Sequence, residues 1–307
     1  MTLSIKQVRY FIAAADAGQI SIAAIELNVS QSAVTAAIQQ LEADLRVSLF
    51  RRHPGGVSLT TEGARFLLHA RNIMAAVNEA VHTPLTDYAH LSGHVRVGVT
   101  YTVAGYFLPR HHARFTRIYP GIDVELIELP RNAIENGLLK GSLDLAVLLV
   151  SNLQDRIHLA YEVLIRSRRR LWLPVEHPLL KVDSITLADV ATVPYIMLTV
   201  DEASSTVDRY WKPAGLHPNT VFRTSSVEAV RSLVAAGLGV TVLSDMVYRP
   251  WSLEGQRIET RGLVADIPTM DVGVVWDPHA EQSVAARTFR DFLGLTFNGP
   301  GHEHDVP

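Results

Sequence analysis

Residues 18–52 read GQISIAAIELNVSQSAVTAAIQQLEADLRVSLFRR, and the spacing of apolar residues within them decides the fold. Ile20, Ala23, Ala24 and Leu27 fall on one face of a helix. After a break at Asn28-Val29-Ser30, residues Val34, Ile38, Leu41 and Leu45 recur at helical spacing and make a stripe that must face a core. Ser30 is placed to cap the second helix through its hydroxyl. The opposite face carries Ser32, Thr35, Ala36, Gln39 and Ala43, all short or amide side chains. Two short helices joined by a tight turn, the second with a flat polar face, form the helix-turn-helix arrangement that enters a DNA major groove. An ordinary amphipathic pair would bury the same stripe, so this stretch alone leaves both readings open.

Working outward, Ile5, Val8, Phe11, Ile12 and Ala15 repeat at helical spacing and end at Gly18, which supplies a third helix under the pair. Downstream, residues 47–59 are two extended runs around Pro54-Gly55-Gly56, a hairpin by its turn chemistry. After a helix-turn-helix such a hairpin is a wing, and Arg51, Arg52 and His53 would meet phosphates. Thr60 or Thr61 caps the next helix, with Glu62 in its first turn. Phe66, Ala70, Ile73, Val77 and Ala80 then alternate in steps of four and three, the seam of a coiled coil, and we read it as a dimer seam. The alternative is a helix packed on its own domain. Pro84 disfavours helix at Thr83 and ends it.

From Gly93 the texture becomes α/β. Strands are expected at 94–99, 123–127, 144–150, 171–173, 195–198, 221–222, 240–243 and 271–276. Helices fall between them, at 133–140, 226–236 and 280–293 among others. This alternation implies a mostly parallel sheet with helices on both faces. Ser225 with Glu228 reads as a capping box.

A chain of 307 residues with 48% hydrophobic and 19% charged content holds two or three globular domains. No apolar run approaches the roughly 18 residues of a membrane span, and the first residues lack the layout of a secretion signal, so a cytoplasmic protein with no membrane partner is expected. The absence of cysteine excludes disulfides and thiolate metal sites. The net charge of -3 argues against a wholly basic nucleic-acid binder, but not against one whose larger part is acidic.

The run Ala23-Ala24…Leu27…Ser30-Gln31-Ser32-Ala33-Val34-Thr35…Ile38…Leu41-Glu42…Leu45…Leu49-Phe50-Arg51-Arg52, followed by Leu59-Thr60-Thr61-Glu62-Gly63, resembles the amino-terminal signature of LysR-type transcriptional regulators. Gly93…Val95-Arg96-Val97-Gly98, Phe115…Tyr119-Pro120, Gly141…Asp144-Leu145-Ala146 and the stretch from Ser226 to Gly239 are similar to that family's effector-binding domain. The resemblance covers roughly residues 4–295. It implies a winged helix-turn-helix DNA-binding domain (1–60), a linker and dimerisation helix (61–90) and a two-lobed, periplasmic-binding-protein-like sensor (91–297). Lobe I would take 91–163 and 268–297, and lobe II 164–267, with the chain crossing near 162–167 and returning near 265–270. The tail, 298–307, is expected to be loose. The implied partners are double-stranded promoter DNA, RNA polymerase and further copies of the chain, as a homodimer through the linker helix and a homotetramer.

Candidate DNA contacts are therefore Ser30, Gln31, Ser32, Thr35, Ala36, Gln39, Arg51 and Arg52. The family commonly has basic or long polar residues after position 35, where this chain has Ala36, Ala37, Gln39 and Gln40. Position 46, commonly glycine there, is Arg46. Glutamine remains suited to reading adenine. In the sensor, ligands gather beyond the carboxyl ends of strands, where helix amino-termini favour negative charge. Thr100, Tyr101, Thr102, Ser204, Thr206 and Ser226 occupy such places, Leu149 would add an apolar wall, and a small anionic or polar effector would fit between the lobes. Each hydroxyl is also an ordinary helix cap.

Other candidates fail. His302-Glu303-His304-Asp305 reads as a polar tail rather than a metal site. Gly237-Leu238-Gly239 follows a helix rather than a strand and is a helix stop. No nucleophile elbow or other catalytic set is found, so neither an enzyme nor any cofactor is expected beyond the effector. A solute-binding protein with an added helical domain and a small-molecule enzyme are the rival classes.

Overall fold

The computed structural model describes residues 3–53, 56–82 and 91–298. The chain forms two compact units, one amino-terminal and one that holds most of the remainder. The turn at Pro54-Gly55, the helix stop at Pro84 and the tail beyond 298 lie outside the described residues.

The first unit runs α1 (Ile5–Ala17), α2 (Ile20–Glu26), α3 (Gln31–Leu45), β1 (Phe50–His53), β2 (Gly56–Leu59) and α4 (Thr61–His82). A capping box between Ser4 and Gln7 opens α1, and Gly18 at φ 68° closes it. Asn28 makes the turn between α2 and α3 in the left-handed region, which asparagine tolerates. Ser30 caps α3 by accepting from the Ala33 amide at 3.2 Å. Tyr10 and Ala14 of α1, Ala23 and Ala24 of α2, and Val34 and Ile38 of α3 then close one core. Burying each of the larger side chains contributes about 1.5–3 kcal/mol.

A second core corrects the reading of α4. Ala70, fully buried, packs with Val8, Phe11, Leu41 and Leu49, and Phe66, Ile73 and Met74 join them. The Phe66 ring lies 5.0 Å from that of Phe11. The first half of the expected seam is therefore spent within the chain, because α1 offers a nearer apolar face. Thr60, not Thr61, caps α4, accepting from the Gly63 amide at 2.9 Å.

The second unit runs β3 (Gly93–Val99), α5 (Tyr101–Tyr106), α6 (Leu108–Ile118), β4 (Ile122–Glu128), α7 (Arg131–Leu139), β5 (Leu145–Leu149), β6 (Ala160–Ser167), β7 (Arg169–Pro174), α8 (Leu187–Ala191), β8 (Pro194–Leu198), α9 (Ala203–Trp211), β9 (Asn219–Thr224), α10 (Val227–Ala235), β10 (Thr241–Ser244), β11 (Ile258–Arg261), β12 (Met270–Trp276) and most of α11 (Val284–Asn298). Lobe I is a five-stranded sheet in the order β4-β3-β5-β12-β6. Every residue of β5 is buried, as a central strand covered on both faces requires. On one face Ala146 and Leu148 meet Ile134 and Leu138 of α7. Phe115 of α6 stacks edge-on against Phe289 of α11 at 4.9 Å. Lobe II holds β10-β7-β11 and the pair β8-β9, joined by a bridge from Tyr195 to Val240.

The sheets are mixed rather than mostly parallel. β3 is parallel to β4 and β5, but β12 runs antiparallel to both β5 and β6, and β7 is antiparallel to its two neighbours. A chain that leaves lobe I and returns must re-enter the sheet in the opposite sense. The strands β6 and β11, unforeseen in the sequence, follow from the same route. Since β6 pairs with β12 as far as Ser167, lobe I's sheet extends past 163, and the crossing falls at Arg168. The cap of α10 is also displaced by one residue: Ser226 accepts from the Ala229 amide, and Glu228 bonds elsewhere. Gly237, at φ 78°, stops α10 as expected. Among the described residues no single helix is long and apolar enough to cross a membrane.

Candidate functional site

Two places in the molecule carry candidate residues, one in each unit. In the first, α3 presents Gln31, Ser32, Ala36 and Gln39 to solvent, with Thr35 partly covered, while Val34, Ile38 and Leu41 of the same helix are buried. Ser30 is exposed, and its hydroxyl lies 3.0 Å from that of Ser32. The polar face is therefore free of the core by construction, since the 3.6-residue period puts the two sets on opposite sides.

The wing is fixed to this helix by one carboxylate. Glu42 Oε1 accepts from the amides of Leu49 and Phe50 at 2.6 and 3.0 Å, so the strand that carries the arginines begins at a set distance from α3. At its other end the Val57 amide donates to the Gly18 carbonyl at 2.8 Å. Gly56, at φ 132°, sits so close that a Cβ would stand 2.3 Å from the same carbonyl oxygen. Arg51 and Arg52 are both exposed but, as consecutive strand residues, point to opposite faces. Arg52 pairs with the buried Val57 and Arg51 with the exposed Ser58, so Arg51 holds the open face. α3 itself carries no lysine or arginine. The next cation is Arg46, exposed at the helix end with φ 56°, a conformation that costs a non-glycine residue about 1–2 kcal/mol.

In the second unit a cavity of about 30 Å³ lies between the lobes. Lobe I lends Thr102, Leu149 and Asn152, and lobe II lends Asp201 and Thr206 among others. The lobes are tied across it. Asp201 Oδ2 accepts from the Thr102 amide at 2.7 Å, Asn152 Nδ2 donates to the Asp201 carbonyl at 2.9 Å, and the Thr206 hydroxyl donates to Asn152 Oδ1 at 3.3 Å. Asp201 makes both its bonds from a left-handed backbone (φ 50°, ψ 38°), strain that only a surrounding network holds in place. Two more bonds cross between the lobes: the Tyr106 hydroxyl donates to Glu228 Oε1 at 2.8 Å, and Arg209 donates to the Ser151 carbonyl. Burial, then the bond to Glu228, pushes the Tyr106 hydroxyl up to about 12, so it stays a donor at neutral pH.

Of the expected effector contacts the structure brings together Thr102, Leu149 and Thr206. Thr100 is buried just before α5 with an unpartnered hydroxyl, Tyr101 is half-buried, and neither lines the cavity. Ser226 spends its hydroxyl on the cap of α10, and the Ser204 side chain lies outside the described residues. The sequence reading missed Asn152, Arg169, Asp201, Tyr210 and Thr241, all of which line the cavity. None sits in a motif, and only the folded chain shows that they meet. Among the described residues no three His, Asp or Glu side chains are grouped to hold a metal.

Comparison with known proteins bears on both places. Residues 5–64 match the family described as "Bacterial regulatory helix-turn-helix protein, lysR family", and residues 89–297 match "LysR substrate binding domain". The chain is 28% identical over 290 residues to the HTH-type transcriptional regulator YvbU of Bacillus subtilis, covering 94% of this chain and 96% of that one. Among solved structures it is similar to a LysR family transcriptional regulator from Pseudomonas aeruginosa (TM-score 0.61, 27% identity, 95% of this chain and 98% of that one). It is also similar to HinK from the same organism (TM-score 0.60, 26% identity, 95% and 97%). With its exposed helix-turn-helix face, its wing and its two-lobed α/β domain, the chain belongs to the LysR family of transcriptional regulators, a DNA-binding helix-turn-helix joined to a substrate-binding domain.

Proposed function

We propose that the exposed face of α3 reads base edges in the major groove of promoter DNA, through Gln31, Ser32, Thr35, Ala36 and Gln39, with Ser30 at its start. Arg51 and Arg52 of the wing meet phosphates, which set register without reading sequence. The observation that carries this is the division of one helix into a buried apolar stripe and a polar face open to solvent apart from the partly covered Thr35. CbnR, which shares the fold at 22% identity, is known full-length in complex with its target DNA. The compartment is then the cytoplasm, where promoter DNA and RNA polymerase are reached.

The cavity between the lobes takes a small anionic or polar effector, with Thr102, Leu149 and Thr206 among its contacts. A domain of the same fold at 19% identity, that of QuiR, has been solved with shikimate. At about 30 Å³ the cavity has room for little more than water, so a larger ligand selects a state with the lobes parted. That shift is passed to the DNA-binding units of a dimer joined through α4, and of a tetramer built from dimers. Because Phe66, Ala70 and Ile73 are already spent on α1, the pairing surface moves toward Val77 and the end of the helix.

Electrophoretic shift of the DNA upstream of the protein's own gene tests the regulator reading, and an unshifted band at micromolar protein would reject it. Thr102→Val, in a reporter driven by that promoter, is expected to abolish the small-molecule response and leave promoter occupancy intact.

A further inference from the structure

The cavity wall holds a cation that the contacts above leave unused. Arg169 opens β7, directly after the crossing at Arg168, and lines the cavity. Its Nη1 donates to two carbonyls of the returning segment, Pro268 and Thr269, the second at 2.8 Å. Among the described residues no carboxylate pairs with it. Nearby Asp271 is already engaged, accepting from the Thr269 hydroxyl at 2.6 Å and facing Arg166 at 3.9 Å. Asp201, the carboxylate on the cavity wall, is held by the Thr102 amide.

Two further groups on the same wall lack partners. The Tyr210 hydroxyl and Thr241 Oγ1 are buried, in residues 4% and 0% exposed; both lie beside the Tyr195 hydroxyl, and neither completes a hydrogen bond of normal geometry. A buried orphan hydroxyl costs roughly 1–3 kcal/mol, and native proteins keep few without a reason. One cation and two idle hydroxyls around an enclosed space are the complement of a single acid group. Carboxylates are what a guanidinium fork binds most specifically.

We propose that Arg169 is the acid-reading group of the effector cavity, binding the carboxylate of a small organic acid to which Tyr210 and Thr241 donate their hydroxyl protons. This rests on the reading of that cavity as the effector site, and it narrows the ligand class to monocarboxylic acids, since among the described residues Arg169 is the one cation that lines it. It also supplies a link to the hinge. The guanidinium that takes the acid through Nε and Nη2 is the one whose Nη1 ties the outgoing chain to the returning chain, so a bound anion acts on the hinge by fixing that side chain.

The test uses crystals of the full chain soaked in sodium bromide, in sodium formate and in formamide, for the wild type, Arg169→Gln and Arg169→Lys. An anomalous bromide peak and a formate molecule are expected within hydrogen-bonding reach of the Arg169 guanidinium, with no formamide there. Arg169→Gln should lose both anions by at least fivefold in occupancy, and Arg169→Lys should keep bromide, which separates lost charge from a disturbed fold. A wild-type cavity free of both anions, an anion retained at full occupancy in Arg169→Gln, or formamide bound as well as formate overturns the proposal. Promoter binding is read separately by gel shift. Its failure in the wild type would remove the regulator reading and leave the anion site standing.

Discussion

The exposed face of α3 and the cavity between the lobes are built in opposite ways. The face of α3 comes from one run of 15 residues, is open to water, and leaves Gln31, Ala36 and Gln39 uncommitted to the rest of the chain. The cavity gathers Thr102, Leu149, Arg169, Asp201, Tyr210 and Thr241 from distant segments, and some of its groups already bond across the lobes. A local surface can be altered residue by residue without disturbing its support. A cavity assembled from afar couples every substitution to the position of a lobe. Four measurements bear on that contrast.

The largest effect is expected at Glu42, the carboxylate that ties the wing to α3. Glu42→Ala removes both bonds to the Leu49 and Phe50 amides, and two charge-assisted bonds of this kind are together worth about 3 kcal/mol. A thermal melt followed by circular dichroism should show that loss in the first unit. An unchanged melt would mean the wing is held without this anchor.

Next comes pH, which should strike the sensor and spare the helix-turn-helix. His111 of α6 is buried, and burial together with Arg110 and Arg114 drives its imidazole down to about 3; it accepts from Arg110 Nε at 3.0 Å. The unfolded chain takes up this proton near pH 6.5 and the folded one does not, so stability falls as the pH drops below about 6.5. The slope is about 1.4 kcal/mol per pH unit, down toward the folded value. Denaturant unfolding at pH 7, 6 and 5 should show the slope, and His111→Gln should flatten it. Equal slopes in both proteins would assign the acid sensitivity to other groups.

Gln39→Ala tests the surface by itself. It should leave the melt unchanged and reduce discrimination at one base position about tenfold, within the usual worth of an amide–adenine pair. Competition among singly altered promoter fragments reads it, and uniform weakening across all fragments would count against base reading. The smallest effect is expected at Arg46. Glycine relieves the left-handed strain, so Arg46→Gly should raise stability by about 1 kcal/mol while DNA affinity falls, most visibly at low salt. If affinity held steady, Arg46 would have no share in phosphate contact.

How much of this was legible in the sequence follows the same contrast. The helices α1 to α3, the cap at Ser30 and the stop at Gly18, and the exposed set on α3 depend on neighbours three and four residues away, and periodicity reports those. The stripe on α4 was read correctly as apolar, and its first half packs on α1 of the same chain. Spacing shows that Phe66 and Ala70 need cover, and it is silent on whether Phe11 of the same chain or another copy provides it. In the sensor most strands could be seen, yet β6 was missed. Its burial is uneven because it lies at the sheet edge, and its pairing with β12 spans about a hundred residues of intervening chain. Thr102 and Thr206 were reachable from their places at strand ends. Asp201, Arg169 and Thr241 carried no local mark, since a lone charge or hydroxyl gains meaning only from what folds against it.

The close approach of Gly56 to the Gly18 carbonyl has a consequence for association. No side chain fits between them, and the Val57 amide fastens the same spot, so the second arm of the clamp is seated while the polypeptide is still alone in solution. Freedom surrendered at that stage need not be surrendered again at the duplex. On the proposed reading of the wing as a DNA contact, both glycines act on the thermodynamics of docking from outside the contact residues.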